Sequence, residues 1–390
     1  MTKSLVVSSV YFPPQVGGIS AMMAALFAHL GAARACCLTG APAPAGIADK
    51  GAGRVYRRPA AFRPPRSRKA AAWALALMEI MVRDRPRAAQ IATIDDGHLG
   101  VWLRRWLHLP FLVYAHGNDI LRVLEGTWPR ERTQLQTADR VVAVSRFTAG
   151  LVEQAGVDPG RIRVIHPGCD AGHFQPLPAD PALRQQLLGA RAPGPILLTV
   201  GNLVERKGHD RVIQALPRLL RRIPNATYLV VGDGPYRDAL DRLAREAGVR
   251  DHVVFAGRVD DAQLPRLYAL SDVFVMASRA RPAECDVEGF GLVYLEANAC
   301  GKPVIGGRTG GIPEAIMDGK TGFLVDPEDP ADIAARLEAT LADREGSAAM
   351  GRHGRARVKA DFSWASAAAQ VQELITGMVA QPNPGAGARD

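Results

Sequence analysis

The chain has 390 residues, of which 47% are hydrophobic, and carries a formal net charge of +9. This length exceeds what one hydrophobic core usually organises, so two domains are predicted. The sequence has no run of about 18 or more apolar residues, so a membrane-spanning helix is not predicted. The five cysteines have no Cys-x-x-Cys spacing, which argues against both a disulfide framework and a structural zinc site. Buried thiols are predicted instead.

The positive charge is concentrated in the first part of the chain. Residues 1–170 contain 22 Lys and Arg against 12 Asp and Glu, whereas the rest of the chain contains 26 against 27. Part of this excess is a basic stretch, residues 54–69, interleaved with aromatic residues. Its cations are Arg54, Arg57, Arg58, Arg63, Arg66, Arg68 and Lys69. Such a stretch is typical either of a solvated loop or of a surface that binds anionic lipid headgroups or nucleic acid.

Strands and helices alternate in the first 170 residues, as in a parallel sheet covered on both faces. A strand from Leu5 to Val10 leads to Gly17-Gly18 and then to a helix from Ile19 to Leu30. Two adjacent glycines at a helix N-terminus let the backbone approach a phosphate or a sugar closely. Further strands are predicted at 89–94, 111–115, 141–144 and 163–165. The N-terminus lacks a long apolar signal region, which predicts a cytoplasmic protein.

The loops after these strands are the first candidate site, because ligands in open α/β sheets bind beyond the carboxyl ends of the strands. His116, followed by Gly117 at a strand end, is the candidate ligand contact there. Ser145 is predicted to cap the helix that follows it. Asp95-Asp96 has no obvious third ligand and is interpreted as a loop rather than a metal site.

A second alternating series begins at 195–201, after a Pro-rich linker at 174–178. The loop that follows, 202–208, contains two adjacent cations, Arg206 and Lys207. Further strands are predicted at 228–231 and 253–259, with helices at 236–247 and 262–270. A last helix is predicted from Trp364 to about Val379, and the Pro-Gly-Ala-rich residues 381–390 are predicted to be disordered.

Two carboxylates, Glu288 and Glu296, flank a glycine-started apolar segment further along the second series. The turn before that segment is Gly289-Phe290-Gly291-Leu292. A helix that begins near Gly291 has unpaired backbone N–H groups in its first turn, and these suit a phosphate or an oxygen-rich sugar.

The two glutamates, separated by seven residues, resemble the paired-glutamate motif of glycosyltransferase family 4, and the other loops follow that family's order from about Val10 to Val325. The resemblance implies the α/β GT-B fold, in which two Rossmann-like domains, here 1–170 and 171–362, face one another across a cleft. A last helix, 363–380, then crosses back to the first domain, the acceptor side.

The resemblance also implies roles for individual residues. Glu288 and His116 orient the donor sugar and Lys207 binds the donor diphosphate, which makes these three the catalytic candidates. Asn202 stands where most relatives have an Arg that shares the diphosphate with the Lys, and Arg206 is the neighbouring cation that compensates in this interpretation. The complete set of donor-binding candidates is Gly17, Gly18, Asn202, Arg206, Lys207, Arg258, Val259, Glu288, Gly289, Phe290, Gly291, Leu292 and Glu296.

Within the family, the form of the motif resembles bacterial mannosyltransferases of the phosphatidylinositol mannoside type. The implied activity is retaining transfer of a hexose, with GDP-mannose as first donor and a UDP-sugar as second, to a glycolipid or glycan hydroxyl at the cytoplasmic membrane face. Neither a metal nor another cofactor is expected. Two alternatives stay open: an enzyme similar to trehalose phosphorylase or synthase that acts on soluble sugars, and a nucleotide-sugar-binding protein without transfer. Nucleic acid is not an expected partner, because no recognition motif for it occurs.

Overall fold

The computed structural model describes residues 2–42, 53–62, 66–189 and 193–380. The chain divides into two compact units, one formed by Met1–Gly168 with Trp364–Asp390 and the other by Cys169–Ser363. Each unit contains one sheet in which every neighbouring pair of strands is parallel. The predicted α/β class is therefore confirmed for both halves of the chain.

The first sheet has the strand order β3-β2-β1-β4-β5-β6-β7. Its strands are β1 (Ser4–Ser8), β2 (Ala35–Thr39), β3 (Val55–Arg57), β4 (Ala88–Ile91), β5 (Phe111–Ala115), β6 (Arg140–Ala143) and β7 (Ile162–Val164). Strand β1 ends at Ser8 rather than at the predicted Val10, because the Ser9 N–H leaves the sheet and donates to Asp96 Oδ2 at 2.8 Å. Strands β1, β2, β4 and β5 are buried along their whole length, as expected for a sheet covered on both faces.

The second sheet has the order β10-β9-β8-β11-β12-β13. Its strands are β8 (Ile196–Val200), β9 (Thr227–Val231), β10 (Val253–Gly257), β11 (Val273–Met276), β12 (Val304–Gly307) and β13 (Gly322–Val325). Strand β11 lies directly beside β8, with Phe274 opposite Leu198. The loops that leave the carboxyl ends of these two strands are therefore neighbours, and both carry predicted site residues.

Helices connect the strands in both units. Those of the first series are α1 (Gly18–Leu30), α2 (Pro59–Phe62), α3 (Arg66–Arg83), α4 (Gly97–Leu107), α5 (Asn118–Leu124), α6 (Pro129–Thr137) and α7 (Arg146–Gln154). Those of the second are α8 (Pro181–Leu188), α9 (His209–Leu220), α10 (Arg237–Glu246), α11 (Leu264–Leu270), α12 (Leu292–Ala299), α13 (Ile312–Ala315), α14 (Pro330–Ala342) and α15 (Arg344–Asp361). Among these described helices, none is both long and apolar enough to cross a membrane.

The last helix, α16 (Trp364–Ala380), belongs to the first unit although it follows the second in sequence. It packs against α1 and buries Val371 and Ile375. Gln372 Nε2 also donates to the backbone oxygen of Thr2 at 2.9 Å. The predicted return of this helix is confirmed, while the predicted disorder of 381–390 concerns residues outside those that the structure describes.

The smaller sequence predictions have clear outcomes. All five cysteines lie among the described residues and are buried, as predicted. Ser145 caps α7, because its Oγ accepts from the Thr148 N–H at 3.1 Å. Asp95 and Asp96, interpreted as a loop, instead form a single 3-10 turn, Ile94–Asp96, in which the Asp96 carboxylate is satisfied by the Ser9 N–H.

Candidate functional site

The loop after β8 carries the two predicted phosphate-binding cations. It forms a 3-10 turn at Glu205–Lys207 and ends at Gly208, which has φ 70° and begins α9. A Cβ at Gly208 would collide with the carbonyl group of Ala277, the residue after β11. Glycine is therefore required at this position both by the left-handed backbone and by the close approach of the neighbouring loop.

Arg206, Lys207 and Glu288 are brought together by the side-by-side arrangement of β8 and β11. Arg206 Nη1 donates to Glu288 Oε2 at 2.6 Å, and Lys207 Nζ donates to the same oxygen at 2.7 Å. Arg206 Nε donates to Asp286 Oδ1 at 2.6 Å. Two cations therefore converge on one carboxylate oxygen, and each of the two side chains and that of Glu288 is at most 16% exposed.

The electrostatics of this cluster follow from its burial and its charges. Burial alone would disfavour the ionised carboxylate, but the Lys207 ammonium and the Arg206 guanidinium outweigh it and lower the pKa of Glu288 to about 2. Burial lowers the pKa of Lys207, although the Glu288 carboxylate opposes this shift. At neutral pH the Glu288 carboxylate is thus an anion stabilised by two cations.

Glu296, the second member of the paired motif, lies on α12 and has a different environment. Its Oε2 accepts a hydrogen bond of 2.8 Å from the Tyr268 hydroxyl on α11. Burial raises the pKa of Glu296 to about 7, and the Tyr268 hydrogen bond only partly offsets this. Two carboxylates eight residues apart in sequence therefore have opposite pKa shifts, because only Glu288 has cationic partners.

The turn between the glutamates is in the predicted place. Helix α12 begins at Leu292, and Gly291 before it has φ 93°. Glu288 therefore precedes the helix, whose unpaired N–H groups begin after the turn. Phe290 is 3% exposed and packs against Phe362, with ring centroids 5.7 Å apart, so its side chain belongs to the core of the unit. Gly289 is buried beside it.

The remaining donor-binding candidates of the second unit are more accessible. Asn202 is exposed, and its backbone oxygen accepts from the Val204 N–H at 3.0 Å and from His209 Nε2 at 3.3 Å. Arg258 is exposed and Val259 is half-buried in the segment that follows β10. The amide at position 202 thus provides no charge where the family pattern has a guanidinium.

The first unit holds the other predicted residues: Gly17 and Gly18 at the start of α1, and His116 after β5. Gly17 has φ 150° and open space where a side chain would be. His116 Nε2 donates to the Ala92 carbonyl oxygen at 2.8 Å, which orients the ring.

Asp119 positions the His116 loop, a role that the sequence reasoning missed. Its Oδ1 accepts from the backbone N–H groups of His116 at 3.0 Å, Gly117 at 2.9 Å and Ile120 at 3.0 Å. An Asp at a helix start is a recognisable capping signal, so this contact could have been predicted. Asp286 and Tyr268, which were also missed, have no comparable local signal.

Two family models match the chain. Glycosyltransferase Family 4 matches residues 16–173, and Glycosyl transferases group 1 matches residues 184–357. The chain is also similar to the solved structures of sucrose-phosphate synthase from Thermosynechococcus elongatus, with a TM-score of 0.80 and 26% identity over 97% of this chain and 99% of that one, and of Anabaena HepE in complex with UDP-glucose, with a TM-score of 0.80 and 23% identity over 97% and 100%. The protein is a glycosyltransferase of the GT-B fold.

Curated relatives make the assignment narrower. The GDP-mannose-dependent α-(1-6)-phosphatidylinositol monomannoside mannosyltransferase of Mycolicibacterium smegmatis is 39% identical over 288 residues, which cover 72% of this chain and 73% of the relative. The enzyme of the same description from Mycobacterium tuberculosis is 34% identical over 94% of this chain and 96% of the relative. The chain therefore belongs to glycosyltransferase family 4, as its paired glutamates predicted.

Proposed function

We propose that this protein transfers mannose from GDP-mannose to a phosphatidylinositol mannoside acceptor, with retention of anomeric configuration and without a metal ion. The donor and acceptor classes are those in the descriptions of the relatives from Mycolicibacterium smegmatis and Mycobacterium tuberculosis. The observation that carries the proposal is the convergence of Lys207 and Arg206 on Glu288 Oε2. Such a pair of cations next to a carboxylate suits a diphosphate joined to a sugar.

Donor binding in this proposal exchanges the partners of the two cations. The diphosphate oxygens take over Lys207 Nζ and Arg206 Nη1, because a diphosphate offers more negative charge than one carboxylate. Glu288 Oε2 is then available to accept hydrogen bonds from sugar hydroxyls. Arg206 keeps its second contact, Nε to Asp286 Oδ1 at 2.6 Å, so its guanidinium stays oriented during the exchange. Arg206 thereby supplies the charge that Asn202 lacks.

The reaction step follows from the charges of these groups. The bond between the anomeric carbon and the β-phosphate oxygen breaks, a bond to the acceptor oxygen forms on the same face of the sugar, and the leaving phosphate takes the proton of the acceptor hydroxyl. Lys207 and Arg206 stabilise the negative charge that develops on the phosphate, which is the contribution a metal ion makes in other transferases. The family resemblance assigns His116 a contact to a hydroxyl of the donor sugar.

A covalent intermediate on Glu288 is disfavoured by the same electrostatics. Its Oε2 is bonded to two cations, and the pKa of Glu288 is lowered to about 2. A carboxylate with so low a pKa is a weak base and a weak nucleophile. Retention by front-face transfer therefore fits Glu288 better than a double displacement through it.

The acceptor proposal also requires a membrane-facing surface, and the first unit offers one. On α3, Leu75, Met78 and Val82 are 67%, 63% and 68% exposed; on α4, Trp102 and Trp106 are 43% and 62% exposed. We call these five residues the apolar helix surface. Since β3 to β4 and β4 to β5 both advance in the same direction along the sheet, right-handed crossovers place α3 and α4 on one face. Exposed Trp residues on a positively charged unit suit the interface of an anionic bilayer.

The basic stretch contributes less to this surface than its sequence suggested. Arg57 Nη1 donates to the backbone oxygens of Pro13 and Pro42, and Arg58 pairs with Glu79 at 2.8 Å. Arg54 pairs with Asp84 at 3.3 Å. Arg63 lies outside the described residues, as do the side chains of Arg66, Arg68 and Lys69. We therefore place the bilayer contact on the apolar helix surface, with the basic stretch next to it in sequence.

The activity is tested with purified protein, GDP-mannose and vesicles that contain phosphatidylinositol monomannoside. We expect a lipid product with one added hexose, an α linkage by NMR, and an undiminished rate in EDTA; Glu288→Gln serves as the inactive control. Transfer from UDP-glucose but not from GDP-mannose would contradict the donor assignment. An inverted linkage, or loss of activity in EDTA that Mg²⁺ restores, would contradict the mechanism.

Two other functions are distinguished by the same preparation. Transfer to soluble glucose or trehalose with no transfer to lipid would favour a soluble-sugar enzyme. Binding of GDP-mannose without turnover on any acceptor would favour a nucleotide-sugar-binding protein, the alternative that the uncharged Asn202 keeps open. Membrane binding is measured by cosedimentation with phosphatidylinositol vesicles: Trp106→Glu is expected to reduce it, whereas Leu177→Glu, at an exposed position of the second unit, leaves it unchanged.

A further inference from the structure

Arg279 is a buried arginine in the segment that follows β11. Only 4% of Arg279 is exposed. Its guanidinium binds the Asp210 carboxylate in a bidentate manner, Nη1 to Oδ1 at 2.9 Å and Nη2 to Oδ2 at 3.0 Å, and Nη2 also donates to Glu205 Oε1 at 3.1 Å. Glu205 and Asp210 are the residues on either side of the 206–209 segment. One guanidinium therefore holds both ends of the segment that carries Arg206 and Lys207.

The backbone of Arg279 reinforces the same connection. Its N–H donates to the Arg206 carbonyl oxygen at 2.9 Å. Two residues further on, the backbones of Arg281 and Asp286 pair with each other, which begins the turn that leads to Glu288. Arg279 thus lies at the point where the loop after β8 is joined to the segment that supplies Asp286 and Glu288.

We infer that Arg279 is a positioning residue, which holds Arg206 and Lys207 in register with Glu288 so that both cations reach the donor diphosphate. This inference rests on the proposed function. A Lys at position 279 keeps the charge but offers one nitrogen instead of a planar fork, so it cannot reproduce the two parallel bonds to the Asp210 carboxylate. The loop would stay attached through its backbone and lose the constraint on its two ends.

The test compares a nucleoside with its diphosphate, because only the diphosphate reaches the two cations. The affinities of guanosine, GDP, uridine and UDP are measured by calorimetry for wild type, Arg279→Lys, Lys207→Ala and the double variant. Arg279→Lys is expected to weaken diphosphate binding about tenfold, as for coupled residues of one network, and to leave nucleoside binding unchanged. In the Lys207→Ala background the same change is expected to have a smaller effect, about threefold, since one of the two cations that it positions is absent.

Two further variants keep the test informative. Glu205→Gln weakens one arm of the guanidinium contact, together with the ion pair between Glu205 and Arg281, and is expected to shift diphosphate affinity in the same direction by a smaller factor. Arg308→Lys changes an exposed arginine that pairs with Asp318, and is expected to change neither affinity.

Several outcomes would overturn the positioning role. One is an equal loss of nucleoside and diphosphate affinity in Arg279→Lys. Another is an undiminished effect of Arg279→Lys on diphosphate affinity in the Lys207→Ala background. If Arg279→Lys does not fold, an unchanged diphosphate affinity in Glu205→Gln has the same meaning. Wild-type protein that binds no nucleoside diphosphate would contradict the proposed function and this role together. Wild-type binding that Arg279→Lys leaves intact would contradict this role alone.

Discussion

The loop after β5 in the first unit and the loop after β8 in the second both leave the carboxyl end of a buried strand, but they are held in different ways. The first is held by one carboxylate: Asp119 accepts three backbone N–H groups, at His116, Gly117 and Ile120. The second is held by ion pairs between side chains, from Arg206 and Lys207 to Glu288 and from Arg279 to Asp210.

The first loop is therefore held by hydrogen bonds within the loop itself, and the second by ion pairs to other segments. The backbone N–H groups at Asp119 have their partner whether or not a ligand is bound, so that loop needs no rearrangement on binding. In the proposed mechanism a diphosphate replaces the oxygen that Lys207 and Arg206 share, so this loop is expected to change partners on binding. Effects of charge on donor binding should therefore be concentrated in the second loop.

The largest effect is expected from Lys207→Ala. The substitution removes one of the two cations that stabilise the leaving phosphate, and the loss of such a group costs about 10²–10³ in kcat. Turnover of GDP-mannose is measured at saturating donor. Lys320→Ala, which removes an exposed lysine of the same unit, should leave turnover unchanged. A Lys207→Ala enzyme with wild-type kcat would show that the cations of the second loop have no part in the reaction.

The hydrogen bonds from the His116 loop to Asp119 are tested by Asp119→Asn. The amide keeps the size of the side chain but accepts hydrogen bonds more weakly than the carboxylate, so we expect a loss of about 1–2 kcal/mol in the free energy of unfolding, as for other capping changes. Urea denaturation provides the measurement. Asp158→Asn, at an exposed cap that holds the Gly160 N–H, is the matched control and should cost less. Equal losses of unfolding free energy in the two variants would contradict a special role of Asp119 in holding the His116 loop.

A gain is expected from Asn202→Arg. The guanidinium restores the charge that the family pattern has at this position, and one charge-assisted hydrogen bond to the diphosphate is worth about 1.5–3 kcal/mol before the cost of ordering the side chain. GDP affinity should therefore rise by about three- to tenfold, with guanosine affinity unchanged. Gln185→Arg adds the same charge at an exposed position of α8 and should have no effect. An unchanged GDP affinity in Asn202→Arg would indicate that Arg206 already fills this place.

The smallest effect concerns pH, and here the paired glutamates differ. Glu296 has its pKa raised to about 7 from an ordinary value of 4.5, so it contributes stability below pH 4.5 that is lost as pH rises through 7. Glu288 has its pKa lowered to about 2, so its contribution is present above 4.5 and is lost as pH falls through 2.

Glu296→Gln should consequently flatten the fall in thermal midpoint between pH 5 and about pH 8. The midpoint is followed by differential scanning calorimetry in buffers of constant ionic strength. Glu246→Gln, on an exposed part of α10, is the control. A wild-type midpoint that does not fall over this range, or one that falls equally in Glu296→Gln, would contradict the assignment of that pH dependence to Glu296.

Several features of this protein could be predicted because their signals are local. Apolar runs located most of the strands, glycine and proline marked the turns, and the spacing of Glu288 and Glu296 indicated the family. Strands β2, β3 and β11 were not predicted. The Ala35-Cys36-Cys37 part of β2 lacks the β-branched residues typical of strands, and β3 was interpreted as part of the basic stretch. The His116 loop was recognised for the same reason as the paired glutamates, because its residues are close together in the sequence.

Only the tertiary structure decided which charges meet. Arg206 bonds Asp286 and Glu288, which are 80 and 82 residues away, and Arg279 bonds Asp210 across 69 residues. No spacing in the sequence encodes these pairs, because they depend on β11 lying beside β8 so that the loops after the two strands become neighbours. The sequence by itself determined the fold and the family, through local pattern; the packing of the sheet determined the ion pairs, and through them the lowered pKa of Glu288 and the contacts of Arg279.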